Sequence, residues 1–293
     1  MFAVAPRVVV YPFGGVPPKV GEGWVALPVM PEWAPRLVPH GRVFGDGSHP
    51  TTRLCAAAVD LLCRQQPGMW VLDVGTGTGI LARIARARGA PFVAGTDIDP
   101  VAIDCARAHA EWDAVCDLRT SGGASDTPGI ASKNAGAAEP AAVGYLGAAG
   151  AAGVACLGAA DAAGVACIGA GGAIGVAGLA AAGATADPTG VGTPARGIYF
   201  GRESPDHWGP CFHLVVANIL EAPLHNLAPA LRGALRPAGV LFISGFTRPQ
   251  APALRLRYET AGLQSIGEFC LDEWALLKFS APEARRSHHN FSK

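Results

Sequence analysis

The sequence has no excess of either charge: Lys plus Arg and Asp plus Glu are both 23, so the formal net charge is zero. Without a basic stripe or polybasic tail, a primary nucleic-acid binder is disfavoured. There is no Cys-x-x-Cys pair either. The eight cysteines (55, 63, 105, 116, 156, 167, 211 and 270) are scattered through apparent helices and strands. That argues against a disulfide framework or a zinc site and for buried or free thiols in a reducing cytosol, with no metal site expected. The N-terminus, Met1-Phe2-Ala3-Val4-Ala5-Pro6-Arg7-Val8, has neither the basic start nor the apolar run of a signal peptide. The expectation is a cytoplasmic protein. Its 293 residues suffice for one large or two small domains.

What is present is organised around Val71-Leu72-Asp73-Val74-Gly75-Thr76-Gly77-Thr78-Gly79. Three apolar residues around one acid read as a short strand buried on both faces, where apolar/polar alternation is lost. Three glycines at alternate positions then allow a tight turn and a close approach to a ligand. Ile80-Leu81-Ala82-Arg83-Ile84-Ala85-Arg86 follows, with apolar residues at 80, 81 and 84 and arginines elsewhere, and reads as an amphipathic helix. Strand, glycine turn, helix is the first unit of a nucleotide-binding α/β sheet. A dinucleotide fingerprint would need a third small residue at position 80, which is Ile80. Gly-x-Gly-x-Gly behind an acid instead resembles motif I of class I S-adenosylmethionine methyltransferases.

A second unit, Phe92-Val93-Ala94-Gly95-Thr96-Asp97, is another buried strand ending in an acid 22 positions after Gly75. A carboxylate there suits a ribose diol. Asp99-Pro100 reads as N-cap and first residue of the next helix, which explains Asp99 and leaves Asp97 as the expected ribose ligand.

Residues 1–43 read as an irregular extension with a strand or two, too short for its own core. Next comes Phe44-Gly45-Asp46-Gly47-Ser48-His49-Pro50-Thr51-Thr52-Arg53, a polar glycine-rich loop. It leads into a helix whose Leu54, Cys55, Ala58, Leu61 and Leu62 share a face. The plain alternative is a loop plus N-cap, in which Thr51 caps the helix and His49 is merely exposed. The decapeptide also resembles the F-G-x-G-x-H-x-T-T signature of the PrmA family, which methylates amines of a protein of the large ribosomal subunit. The resemblance implies that the loop folds over bound S-adenosylmethionine and that Thr52 touches it. It implies further cofactor contacts at Asp73, Gly75, Gly77 and Asp97.

The likeness resumes at Phe212-His213-Leu214-Val215-Val216-Ala217-Asn218-Ile219-Leu220-Glu221-Ala222-Pro223. This strand delivers Asn218 at its carboxyl end, where open α/β sheets hold ligands. A carboxamide oxygen can accept hydrogen bonds from an amine. The resemblance places the matching asparagine beside the cofactor methyl and the target amine. Asn218 is therefore expected in both cofactor binding and catalysis, with His49 a candidate proton shuttle.

Residues 224–235 read as a helix, 239–245 as a strand and 249–261 as a helix. Ser265 to Cys270 and Trp274 to Phe279 read as a closing antiparallel hairpin. The expected fold is a class I methyltransferase (Rossmann-like) α/β fold, its seven-stranded sheet mostly parallel. It is assigned to 44–119 and 197–280, with an insertion over 120–196 and a tail over 281–293. The third strand stays open between Val115–Arg119 and Gly197–Phe200, and with it the adenine-recognising residue.

The insertion repeats every 11 residues from Gly136. Three helical turns match that period. Yet each glycine costs a helix ~1 kcal/mol relative to Ala, and no polar face opposes an apolar one. Residues 162–186 carry no charge, but Gly and Ala contribute little membrane-transfer energy. The stretch reads as a loose low-complexity loop, ahead of helix or membrane span.

The expected activity is methyl transfer to a lysine or N-terminal amine of a protein, with a ribosomal protein as a candidate substrate, and without direct nucleic-acid binding. About 43 residues precede the signature, too few for the family's substrate-recognition domain. That keeps another protein substrate, such as electron-transfer flavoprotein beta subunit, or a small molecule as alternatives. An NAD-dependent oxidoreductase or a non-catalytic binding module are the alternatives from other classes.

Overall fold

The structure, a computed structural model, describes residues 1–12, 18–29, 43–121 and 197–283. The Gly/Ala repeats, with Cys156, Cys167 and the charge-free stretch 162–186, lie outside the described residues, as does the tail from residue 284.

The chain opens with β1 (Phe2–Ala5), β2 (Val8–Pro12) and β3 (Val25–Val29), which form a three-stranded sheet. Three strands form where one or two were expected. The small sheet has no core of its own: Val4, Val8, Val10, Leu27 and Val29 bury themselves against Leu54, Val59, Ile80 and Ile84 of the following helices. So short a segment must share apolar cover with its neighbour.

The main domain runs α1 (Pro50–Gln65), β4 (Trp70–Val74), α2 (Ile80–Ala87), β5 (Phe92–Thr96) and α3 (Pro100–Ser121). It continues through β6 (Gly197–Gly201), β7 (Phe212–Asn218), α4 (Glu221–Ala234), β8 (Leu235–Thr247), α5 (Ala251–Thr260), β9 (Gln264–Leu271) and β10 (Trp274–Ser280). The seven strands lie in the order β6-β5-β4-β7-β8-β10-β9. The first five are parallel, and β10 pairs antiparallel with both β8 and β9.

The open question of the third strand is decided. Residues 115–119 continue α3, and Gly197–Gly201 pairs parallel with β5. No helix breaker intervenes between Pro100 and Gly122, so the helix capped at Asp99 runs on past the candidate strand.

Alternate strand residues face opposite layers. Val71, Val93, Leu214 and Val216 pack towards α1, α2 and α3. Leu72, Val74, Ala94 and Val215 pack towards α4 and α5. From β4 the chain builds outward to β6, then returns to add β7 on β4's other side. The strand order reverses there, which opens a crevice at the carboxyl ends of β4 and β7.

Arg83 departs from the amphipathic reading. Rather than pointing to solvent it is 1% exposed, with Nε and Nη2 donating to both oxygens of Asp113 at 2.6 and 2.7 Å. Nη2 also donates to the Pro28 carbonyl at 2.8 Å, tying β3 to α2 and α3. Among the described residues no helix is long and apolar enough to cross a membrane.

Candidate active site

The turn after β4 is built by its acid. Asp73 is fully buried, and its Oδ2 accepts from Thr76 Oγ1 at 2.7 Å and from Ala82 N at 3.2 Å. Gly79, at the N-cap of α2, has no side chain to satisfy the first helical N–H groups. Asp73 supplies that acceptor from the strand, and its charge suits the positive end of the helix. Burial pushes the Asp73 carboxyl up to about 7, assisted by nearby Asp97 and opposed by the bonds from Thr76 and Ala82. Its Oδ1 is buried with no protein partner.

Gly75 and Gly77 turn with φ of 71° and 53°. A Cβ at Gly75 would collide with Ile219, and one at Gly77 with the Phe44 carbonyl oxygen. Both glycines are therefore required by conformation and by close approach. The N–H groups of Gly75 and Thr76 donate to the Thr96 carbonyl at 2.8 and 2.9 Å, fastening the turn to β5.

Asp97 sits half-buried just past β5. Its Oδ2 accepts from Gly77 N at 3.1 Å and its Oδ1 from Asp99 N at 3.0 Å, leaving further lone pairs on both oxygens. Asp99 accepts from Val101 N at 2.9 Å, as a helix cap should. Asp97 N donates to the Gly201 carbonyl at 3.1 Å, so the end of β6 lies beside it. Two residues on, Glu203 Oε1 accepts from Tyr199 OH at 2.6 Å, while Oε2 is buried without a protein partner.

The 44–53 segment lies against the glycine turn. Thr78 N donates to the Phe44 carbonyl at 3.0 Å, and Thr78 Oγ1 to the Gly45 carbonyl. The helix cap is His49, not Thr51: His49 Nδ1 accepts from Thr51 N at 3.3 Å and lies 2.8 Å from Thr51 Oγ1. The His49 ring is held edge-on between Phe44 and Trp274, with centroids 5.3 and 4.7 Å away. Burial holds its pKa below the ordinary value, with Asp46 opposing. A neutral ring accepting at Nδ1 carries its proton on Nε2.

Thr52 is 1% exposed, and Asn218 Nδ2 donates to its Oγ1 at 3.4 Å. Residues 166 positions apart thus meet at the crevice. The other end of the carboxamide, Asn218 Oδ1, is buried with no protein partner.

The sequence matches the family described as Ribosomal protein L11 methyltransferase (PrmA) over residues 31–124 and 200–282. The chain belongs to the PrmA family. A ribosomal protein L11 methyltransferase of Chloroflexus aurantiacus is 31% identical over 280 residues, 90% of this chain and 66% of the relative. One from Myxococcus xanthus is 41% identical over 112 residues, 35% of this chain and 38% of the relative. The chain thus spans just under two thirds of the first relative's length and much less of the second's. Its fold is that of a ribosomal protein L11 methylase from Lactobacillus delbrueckii subsp. bulgaricus, with a TM-score of 0.57 at 18% identity. The match covers 96% of this chain and 98% of the other.

In this PrmA-family chain the structure brings Thr52 to Asn218, and Asp97 to Gly77 and Asp73. His49 caps α1 beside them. Sequence reasoning missed Trp274, Glu203 and Thr78. Trp274 begins a strand remote in sequence, Glu203 follows a strand that could not be assigned, and Thr78 passed for a spacer between glycines. Cys55, Cys63 and Cys105 are buried thiols; burial pushes Cys105 up to about 11 and Cys63 to about 12.

Proposed function

We propose that this chain transfers the methyl group of S-adenosylmethionine to an amine of a protein, with a ribosomal protein as the leading substrate class and the cytoplasm as its place of action. The observation that carries the reading is Asn218. Its Nδ2 is committed to Thr52 while its Oδ1, buried at the switch point of the sheet, has no protein partner. A buried acceptor without a donor is costly unless a ligand supplies one, and an amine N–H does.

The remaining groups fit the cofactor. The free lone pairs of Asp97, held beside the glycine turn by Gly77 N, suit a ribose diol. Asp73 Oδ1 and Glu203 Oε2 are the buried acceptors for the ammonium group and the exocyclic adenine amine. When bound, S-adenosylmethionine supplies an electrophilic methyl on a positively charged sulfur.

A lysine ammonium, with a reference pKa of ~10.4, must lose its proton before it has a lone pair to give. Exclusion of water and a nearby positive charge favour the neutral amine. Asn218 Oδ1 would accept one amine N–H and so aim the lone pair. His49 Nδ1 is occupied by Thr51, so any shuttling role falls to Nε2.

Methyl transfer from radiolabelled S-adenosylmethionine to ribosomal proteins and to a whole-cell extract tests this. A labelled ribosomal band is expected. A labelled band outside the ribosome moves the substrate to another protein, and label only in small molecules overturns the protein-amine reading. Calorimetric titration with S-adenosylhomocysteine and with NAD separates the methyltransferase from the oxidoreductase. Cofactor binding without transfer to any fraction would favour a non-catalytic module.

A further inference from the structure

We propose that His109, on α3, is a positioning residue that sets the cofactor-binding loops through Thr78. The proposal rests on the methyltransferase reading of the site.

His109 is fully buried on α3, and its Nδ1 lies 3.0 Å from the Thr78 carbonyl oxygen. A carbonyl can only accept, so Nδ1 carries the proton and donates it. Cys105 Sγ lies 3.7 Å from the same nitrogen. Thr78's other two polar groups act on the opposite side, its N–H holding the Phe44 carbonyl and its hydroxyl the Gly45 carbonyl. One residue therefore links α3 to the segment that lies over the turn.

The neighbours make this link matter. Thr78 stands between Gly77 and Gly79, both at positive φ and neither with a side chain to anchor the peptide. α3 approaches so closely that a Cβ at Gly79 would sit 3.1 Å from Ala106 Cβ. The Thr78–Gly79 peptide is held at both ends. Gly79 N donates to the Thr76 carbonyl at 2.8 Å, and the Thr78 carbonyl accepts from His109, its one tie to α3 among the described residues.

Simple packing does not explain an imidazole here. A polar ring with no exposure is costly to bury unless its hydrogen bonds are needed, and an apolar side chain would fill the space more cheaply. Burial and the neighbouring Arg83 guanidinium lower its pKa to about 3, against backbone hydrogen bonds to Thr78 and Cys105, so the ring is neutral and carries one N–H.

The isosteric pair His109→Leu and His109→Asn isolates the donor, because the Asn Nδ2 can stand where His Nδ1 does and Leu cannot donate. Affinity for S-adenosylhomocysteine, KM for the labelled amine substrate and amide exchange of Thr78 are to be measured in both. His109→Leu should bind S-adenosylhomocysteine about tenfold more weakly, the effect of one buried acceptor left unpaired. The amine KM should stay within about twofold, and Thr78 N–H should exchange faster even without ligand. His109→Asn should restore most of the affinity and the protection. Equal behaviour of the two variants, or unchanged Thr78 exchange in His109→Leu, overturns the proposal.

Should His109→Leu fail to fold, the wild-type protein decides. Nitrogen NMR of His109 must show the Nδ1–H tautomer, and the Nε2–H tautomer overturns the proposal. A wild type that binds no S-adenosylhomocysteine defeats the methyltransferase reading instead, while the exchange and tautomer measurements still judge the brace.

Discussion

Asp97 at the end of β5 and Asn218 at the end of β7 stand on either side of β4, facing the same crevice, and are held in opposite ways. Asp97 has both carboxylate oxygens fixed by backbone N–H groups at 3.0 and 3.1 Å, from Asp99 and Gly77. Asn218 has one long bond of 3.4 Å to Thr52 and an acceptor with no partner. The backbone on the two sides is alike. The glycine turn is stitched to β5, Ile219 N donates to the Ser244 carbonyl at 3.1 Å, and exposed apolar residues follow at Ile98 (87%) and Leu220 (74%). The contrast lies in the two side chains. One end of the crevice has its carboxylate held by the protein on both oxygens, and the other keeps a buried acceptor without a protein partner. Fixed groups suit a cofactor that always binds the same way. A loosely tied carboxamide suits a group that must be gripped most tightly as it reacts.

The strongest way to break this contrast is to disturb the fixed end. Gly77→Ala should shift the N–H that holds Asp97, since its φ of 53° and the nearby Phe44 carbonyl both oppose a Cβ. Strain and overlap together predict about a hundredfold loss of S-adenosylhomocysteine affinity by calorimetry.

Asn218→Asp tests the open end. The added carboxylate should favour the protonated target amine by about one to two pK units, lowering kcat on the order of tenfold to a hundredfold at neutral pH. The rate should recover partly as pH rises, with cofactor affinity kept or improved. A loss equal at all pH values, with affinity falling in parallel, would make Asn218 only a cofactor contact.

Asp97→Asn sharpens the other side. Removing charge while keeping shape should cost about 1–3 kcal/mol of cofactor affinity and leave turnover at saturation nearly unchanged. If S-adenosylhomocysteine binds the variant as tightly as wild type, Asp97 is not the ribose ligand.

Between the two ends lies Asp73, whose carboxyl is raised from 3.8 to about 7 by burial. A raised folded-state pKa means that the native chain holds this proton more tightly than the unfolded chain. Its stabilising contribution is complete below about 4 and lost as pH rises through about 7. Chemical denaturation across that window should show the decline, and Asp73→Asn should flatten it. Cofactor affinity should move the other way, strengthening towards pH 7 as the carboxylate forms.

The smallest effect is expected away from both ends, at Lys278. It lines an open groove with Ala58, Leu61, Leu62, Gln65, Phe242 and Phe269, and burial lowers its pKa. Lys278→Met should stabilise the fold by roughly 0.5 kcal/mol and leave cofactor affinity untouched. Because the folded state disfavours the ammonium, wild-type stability should rise on the alkaline side where the variant's does not.

Much of this could be read along the chain. Val71–Val74 and Phe92–Thr96 are apolar runs ended by special residues, Asp99-Pro100 starts a helix, and the closing hairpin shows in its apolar segments. Each is a local signal, because backbone sterics and burial on both faces leave their mark within a few residues. The candidate site residues were legible for the same reason, standing at ends of elements whose boundaries the sequence marks. Arg83 was not: its place in an amphipathic pattern pointed outward, yet Asp113 and the Pro28 carbonyl hold it inside. Nor was the cap at His49, where preference among residue types suggested Thr51 but the ring is fixed by Phe44 and Trp274.

The sequence by itself determined the strand–turn–helix unit, the parallel core, Asp97 and Asn218 at strand ends and the family signature. All of these rest on neighbouring residues or on linked motifs. The tertiary structure decided that Gly197–Gly201 and not 115–119 is the strand beside β5, that Thr52 meets Asn218, and that His109 reaches Thr78. Those outcomes depend on which groups share a buried space. A buried polar atom must find its partner across the fold, wherever in the chain that partner lies.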